Sequence, residues 1–278
     1  MSESFDAPGA KLRAIDFSPR TLGLLRPLSA PLTYLGLRVA GRDVPVYAFF
    51  DHTCRAIAYP MRFAVTTCRD WRGGQLTYDK HLGTDFVVPV GTPVTAAAAG
   101  VVRCARSESV GGRYLWIDHG GGYSTVYQHL SEALVREGQK VARGELVARS
   151  GASGLAIESF FPLVPPHLHF ALFVDGVPAD PFPGEGSPGF WEEATDPRPY
   201  DFGSELDLAL PYDGIAKRDL LAAFAEDPLL ATNFIPPLTA LAPEHFSHGG
   251  DWRELVERPR LALSLPFRAE DVSRLVFK

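Results

Sequence analysis

The chain has 278 residues, a formal net charge of -6 and 46% hydrophobic residues, enough for one or two domains with a real core. The acidic balance excludes a general nucleic-acid binder, which needs surplus Lys and Arg against phosphate, and no run reaches the roughly 18 apolar residues of a membrane-spanning helix. Three cysteines, Cys54, Cys68 and Cys104, give neither a disulfide framework nor a cysteine-based zinc site, and leave room for one bridge, for example Cys68–Cys104.

The first residues, MSESFDAPGAK, lack the basic start and apolar core of a secretory leader, and the apolar stretch 21–40 is broken by Arg26, Pro27, Pro31 and Arg38. No signal peptide is read there. Residues 1–60 are expected to be β-rich, with strands at Thr33–Val39 and Val44–Phe50 joined by Gly41-Arg42-Asp43. Residues 61–182 contain strand-like runs at Arg62–Thr67, Phe86–Val90, Val101–Ala105, Tyr114–Asp118, Tyr123–His129, Leu146–Ser150 and Leu168–Val174. Glycine turns separate them, and Gly120-Gly121-Gly122 reads as a hairpin. Short strands with frequent turns predict a mainly β, antiparallel domain.

Residues 183–278 differ in character. Residues 1–180 carry 18 basic and 16 acidic groups, whereas 181–278 carry 9 and 17. That break marks a boundary. The segment is expected to be irregular to helical, with helices near 215–225 and 251–257 and a proline-rich linker or surface loop over 181–199. Its apolar clusters, including Leu261, Leu263 and Leu265, and its opposite charge predict docking onto the preceding domain rather than independent folding.

Five of the eight histidines lie between 81 and 169, four of them in arrangements that suit a metal site. In His167-Leu168-His169 the imidazoles of an extended strand share one side, while Leu168, Phe170, Leu172 and Val174 share the other and can form core. Two adjacent imidazoles are costly to bury alone but useful beside a metal, where one can ligate and the other move protons. In His81-Leu82-Gly83-Thr84-Asp85, Gly83 lets the chain turn tightly, so an imidazole and a carboxylate can converge. The same segment would also suit a His–Asp hydrogen bond in a loop. His81, Asp85 and His169 together would offer three ligands and leave a fourth tetrahedral position to water, the pattern of catalytic zinc. On Tyr123–His129, strand alternation puts Tyr123, Thr125, Tyr127 and His129 on one face.

The blocks HLGTDFVVPVGTPVTAAAAGVV, WIDHGGGYSTVYQHL, VREGQKVARGELVARSG and PHLHF, in that order, resemble the lysostaphin/LytM-type zinc endopeptidases, which are mostly peptidoglycan hydrolases. The resemblance covers about residues 60–182. It implies Zn2+ held by His81, Asp85 and His169, catalytic positions at His167 and His129, and a structural role for His119. It also implies an antiparallel β domain with a narrow groove, and a reaction in which a zinc-activated water attacks a peptide carbonyl with the two histidines assisting. The expected substrate is peptidoglycan cross-links or stem peptides. That substrate lies outside the cytoplasm, which sets it against the unread leader. Two other readings compete: a non-catalytic relative that binds a wall hydrolase or wall peptide, and a carrier domain suggested by VREGQKVARGEL. The first usually lacks the ligands kept here, and the second would need a lysine at the hairpin tip. One departure from the family pattern is the twelve-residue insertion LAIESFFPLVPP, residues 155–166, expected to rim the groove.

Overall fold

The computed structural model describes residues 25–52, 68–78, 81–184, 187–201 and 260–277, with the backbone of 15–16 and 61–62. Strands in chain order are Ile15–Asp16 (β1), Val44–Ala48 (β2), Met61–Arg62 (β3), Thr84–Val87 (β4), Pro93–Thr95 (β5), Gly100–Glu108 (β6), Gly112–Gly120 (β7) and Tyr123–Leu130 (β8). They continue with Glu132–Ala133 (β9), Lys140–Val141 (β10), Leu146–Arg149 (β11), His167–Val174 (β12), Val177–Ala179 (β13) and Leu275–Val276 (β14). Two short helices, Ala30–Tyr34 (α1) and Leu155–Glu158 (α2), complete the described elements.

The fold is mainly β. A nine-stranded sheet runs β10-β6-β7-β8-β12-β4-β2-β14, with β13 paired to β12, and a three-stranded sheet runs β5-β11-β9. Within these two sheets the pairing is antiparallel except where β14 joins β2, and β1 and β3 form a separate parallel pair. The hairpin β7–β8 turns at the expected glycines, Gly120, Gly121 and Gly122, all at positive φ. Such φ values cost glycine little and other residues more.

The center of the sheet is β12, flanked by β8 and β4, and all eight of its residues are buried. Leu168, Phe170, Leu172 and Val174 join the main core with Phe86, Tyr127, Leu115 and Trp191. Ala171 and Phe173 pack on the opposite face with Val126 and Trp116, and His167 and His169 share that second face by strand alternation. A strand covered on both sides has little positional freedom, which suits it to carry chemistry.

Elsewhere the structure departs from expectation. Thr33–Val39 is not a strand. Pro31 in the first turn pre-sets helical φ for α1, and Gly36 at φ 82° stops it. The β-branched and aromatic residues that suggested a strand are overridden by this start and stop. Cys68 and Cys104 do not bridge; the Cys104 thiol donates to the Tyr114 hydroxyl at 3.4 Å. The helices expected near 215–225 and 251–257, and most of the strand expected at Arg62–Thr67, lie outside the described residues.

The last described segment is sewn into the sheet. Leu261, Leu263, Leu265, Phe267 and Val272 belong to the main core. Val44 N–H donates to Arg274 O at 2.9 Å, and Ser273 N–H to Arg42 O at 2.9 Å. Leu263 bridges Trp191 and Leu265 bridges Pro199. Leu263→Ala should therefore cost about 2–5 kcal/mol, the range for truncating a buried leucine. Thermal unfolding of the two proteins checks this, and an unchanged Tm would show that the segment is not part of the core.

Candidate metal centre

The centre forms where three neighboring strands bring their polar residues together. His169 sits opposite Asp85 in the β12–β4 register, so one carboxylate and one imidazole meet by pairing alone. His81 arrives from the turn before β4, four residues before Asp85. His81 Nε2 lies 3.0 Å from Asp85 Oδ1 and 3.1 Å from His169 Nδ1, and His169 Nδ1 lies 2.8 Å from the same carboxylate oxygen. Gly83 makes the convergence possible. A Cβ there would stand 2.5 Å from Phe170 O and 2.8 Å from the His169 ring, distances real atoms do not tolerate.

Each imidazole around the centre is oriented by a main-chain carbonyl or by the carboxylate. His81 Nδ1–H donates to Phe49 O at 2.6 Å, which leaves Nε2 for the centre. His167 Nδ1–H donates to Pro165 O at 2.8 Å, and its Nε2 lies 3.7 Å from Asp85 Oδ1. His129 Nδ1–H donates to Ser153 O at 2.9 Å. Fixing one ring nitrogen selects what the other can do.

His129 reaches this cluster by a route strand alternation does not predict. Tyr127 faces the main core, so a regular strand would send His129 there as well. The β7–β8 register instead shifts between Leu115↔Tyr127 and Arg113↔Leu130, and His129 has φ 59°. This bulge turns the His129 ring to the other side, 4.9 Å from the His167 ring and 6.0 Å from His169, while Leu130 returns to the core. The expectation that His129 shares a face with Tyr123, Thr125 and Tyr127 is thus corrected. Bulges are a recurring way to re-aim a side chain beside a site.

The five polar residues are all buried: His81, Asp85, His129, His167 and His169 are each 6% exposed or less. Burial works against the Asp85 carboxylate, but the facing His81 and His167 and the hydrogen bonds from His169 and His81 hold its pKa well below the usual range. Burial lowers the His169 pKa, and burial with the neighboring His167 and His169 depresses that of His129 strongly. Asp85 Oδ2 is buried without a hydrogen-bond partner, an expensive arrangement unless something else satisfies it.

These features fit a cation. One ligand atom each from His81, Asp85 and His169 lies within 4.8 Å of the others. Donors bonded at about 2.0–2.1 Å to a tetrahedral ion stand about 3.3 Å apart, within a few tenths of an ångström of the separations here. The donor set is two imidazoles and a carboxylate, with a lone pair left over on the carboxylate.

Two phenols flank the cluster, and sequence reading did not single them out. The Tyr78 ring lies 4.3 Å from His81, and the Tyr47 ring 5.4 Å from His167. Tyr78 stands three residues before His81, and that proximity was a usable signal. Tyr47 sits on β2 with no motif around it. His119 lies outside the cluster. Its Nδ1–H donates to Ala99 O at 2.8 Å, and its Nε2 lies 2.8 Å from Thr125 Oγ1.

Residues 79–181 match the model of peptidase family M23, and this segment is of lysostaphin/LytM type. All five clustered residues fall inside the match; Tyr47 and Tyr78 fall outside it. The chain is 44% identical over 100 residues to the peptidoglycan DD-endopeptidase ShyA of Vibrio cholerae, covering 36% of this chain and 22% of ShyA. It is 34% identical over 105 residues to the DD-carboxypeptidase/endopeptidase Mpg of Neisseria meningitidis, covering 38% and 23%. The chain thus spans less than a quarter of the length of these curated relatives. The catalytic domain of lysostaphin from Staphylococcus simulans is 30% identical, with 37% of this chain and 76% of that domain covered and a TM-score of 0.32.

Burial holds the His119 pKa down at about 4, whereas an unfolded histidine titrates near 6.5. Between those values the unfolded chain binds the proton and the folded chain does not, so stability falls as pH drops from about 6.5 to about 4. The stability lead of the wild type over His119→Gln should shrink across that window in denaturant titrations. A lead independent of pH would show that His119 does not stay neutral in the fold.

Proposed function

We propose that the protein is a zinc metalloendopeptidase that hydrolyzes peptide bonds of peptidoglycan, in its stem peptides or cross-links. The observation that carries this is the convergence of His81 Nε2, His169 Nδ1 and Asp85 Oδ1 in a buried cluster with two further imidazoles beside it. The match of residues 79–181 to a peptidase family supports the reaction class, and relatives named as peptidoglycan DD-endopeptidases support the substrate.

In this reading His81, Asp85 and His169 hold the zinc, and His129 and His167 act on the substrate. When bound, zinc supplies Lewis acidity and an activated water at neutral pH. Asp85, ionized because imidazoles face it, contributes the negative charge that offsets the cation. His167, with Nδ1–H on Pro165 O, presents Nε2 as a proton acceptor and later donor. His129, with Nδ1–H on Ser153 O, keeps Nε2 for the same work or, protonated, for a hydrogen bond to the developing oxyanion. The two are equivalent in how they are held, so both assignments of acid–base and oxyanion roles stand within the proposal.

The protein loaded with zinc should carry about one equivalent and release peptide fragments, identified by mass, from purified cross-linked peptidoglycan. His129→Ala and His167→Ala should each keep the metal and lose about 100-fold or more in turnover, the usual weight of a general acid–base group. Less than about half an equivalent of zinc in the folded wild type would sink the metal assignment. Near-normal turnover in either variant would remove that histidine from the mechanism.

A further inference from the structure

The turn between β6 and β7 holds an acid that the proposed reaction does not use. Glu108 closes β6, and its Oε1 accepts Gly111 N–H at 2.9 Å and the Gln128 side-chain amide at 3.4 Å. Its Oε2 is buried with no hydrogen-bond partner among the described residues. Burial pushes the carboxyl pKa up to about 7, and the Gly111 hydrogen bond offsets this only in part. A carboxyl kept in such a place is costly and calls for a reason.

The reason lies in what Glu108 grips. Gly111 O accepts the main-chain N–H of His129 at 3.0 Å, so the residue bonded to Glu108 is the one from which His129 hangs. Gln128, the second donor to Glu108, precedes His129 and stands opposite His169 in the β8–β12 register. His129 needs such support. It sits at φ 59° where the β7–β8 register shifts, and a non-glycine residue in that region persists only where its surroundings fix it. The joint is tight: a Cβ on Gly111 would stand 2.4 Å from Glu108 Oε1 and 2.5 Å from Gln128 Nε2. The 155–166 insertion braces the same turn, with Leu155 N–H donating to Ser109 O at 2.9 Å and Ala156 N–H to Val110 O at 3.2 Å. Arg113 N–H donates to Ser153 Oγ at 3.0 Å, and Ser153 O holds the His129 ring. The turn and the residues leading into the insertion thus hold His129 at both its main chain and its ring.

We propose that Glu108 is a positioning residue, which fixes the 108–111 turn as a hydrogen-bond acceptor and so holds the bulge that aims His129 at the cluster. Its effect on turnover rests on the peptidase reading above, whereas its effect on the placement of His129 does not. Glu108 touches no reacting atom.

NMR of the zinc-loaded full chain, isotope-labelled in histidine, reports the His129 ring, whose resonances are assigned by their loss in His129→Ala. Three variants are compared with the wild type after thermal unfolding has confirmed that each is folded. Glu108→Ala removes the acceptor. Gly111→Ala leaves the acid in the sequence but displaces it, and the atoms it crowds are the ends of flexible side chains, so it serves even where Glu108→Ala does not fold. Glu108→Gln keeps an acceptor oxygen. Glu108→Ala and Gly111→Ala should shift the His129 resonances, leave those of His81 and His169 in place, and keep about one equivalent of zinc. Their kcat should fall about 10-fold to 100-fold, the scale of a misplaced catalytic group. Glu108→Gln should keep the wild-type resonances and most of the turnover. Unmoved His129 resonances in both Glu108→Ala and Gly111→Ala overturn the proposal, as does a Glu108→Gln that behaves like Glu108→Ala. Cleavage of cross-linked peptidoglycan by the wild type is scored separately. Shifted resonances with no cleavage by the wild type sink the peptidase reading and leave the positioning role standing. Cleavage with an unmoved His129 does the reverse.

Discussion

A carboxylate with no solvent exposure is the constraint on which the rest depends. Asp85 is fully buried, and an ionized carboxyl in that setting needs compensating partners. His81, His167 and His169 supply them. Their positions follow from three separate choices: a turn through Gly83, the β12–β4 register, and the spacing of two residues between the histidines on one strand. Removing a partner from a buried charged pair typically costs about 3–5 kcal/mol. Each member of the cluster is therefore costly to lose, and in the proposed reading a cation would add compensation by taking lone pairs from two imidazoles and one carboxylate.

The sheet holds that cluster in a fixed frame. β12 is clamped between β8 and β4, buried on both faces, and backed by an aromatic core that includes Phe86, Phe170 and Trp191. Trp191 and the leucines of 261–265 come from beyond the segment that matches the peptidase family, as do β2 and Tyr47. The flanking parts of the chain thus complete both the core under the site and the wall beside it. In the insertion, Ile157 and Val164 are buried while Phe161 is 64% exposed. The loop anchors itself with two aliphatic side chains and leaves an aromatic at the surface.

Most of the central architecture was legible because it rests on local rules. Alternation on Leu168–Val174, glycine turns such as Gly120–Gly122, and the HLGTD turn each announce their structure within a few residues. His129 shows where such rules stop. Its type and place in the chain marked it, but alternation assigned it to the core face, and only a bulge set by the pairing of β7 with β8 brings it to His167. Thr33–Val39 failed for a different reason: Pro31 and Gly36 impose a helical start and stop that outweigh β-propensity. Tyr47 had no signal at all. Its importance comes from its contact with His167, more than a hundred positions away, which no local pattern encodes.

The central claim is that one ion is bound by two imidazoles and one carboxylate drawn from β4, the turn before it, and β12. Anomalous diffraction at the zinc edge from crystals of the zinc-loaded protein tests this most directly. A single strong peak is expected within about 2.0–2.2 Å of His81 Nε2, His169 Nδ1 and an Asp85 carboxylate oxygen, with a fourth, non-protein ligand at similar distance. A peak at other side chains, a site closed by a fourth protein ligand, or no ordered peak in this cluster would contradict it.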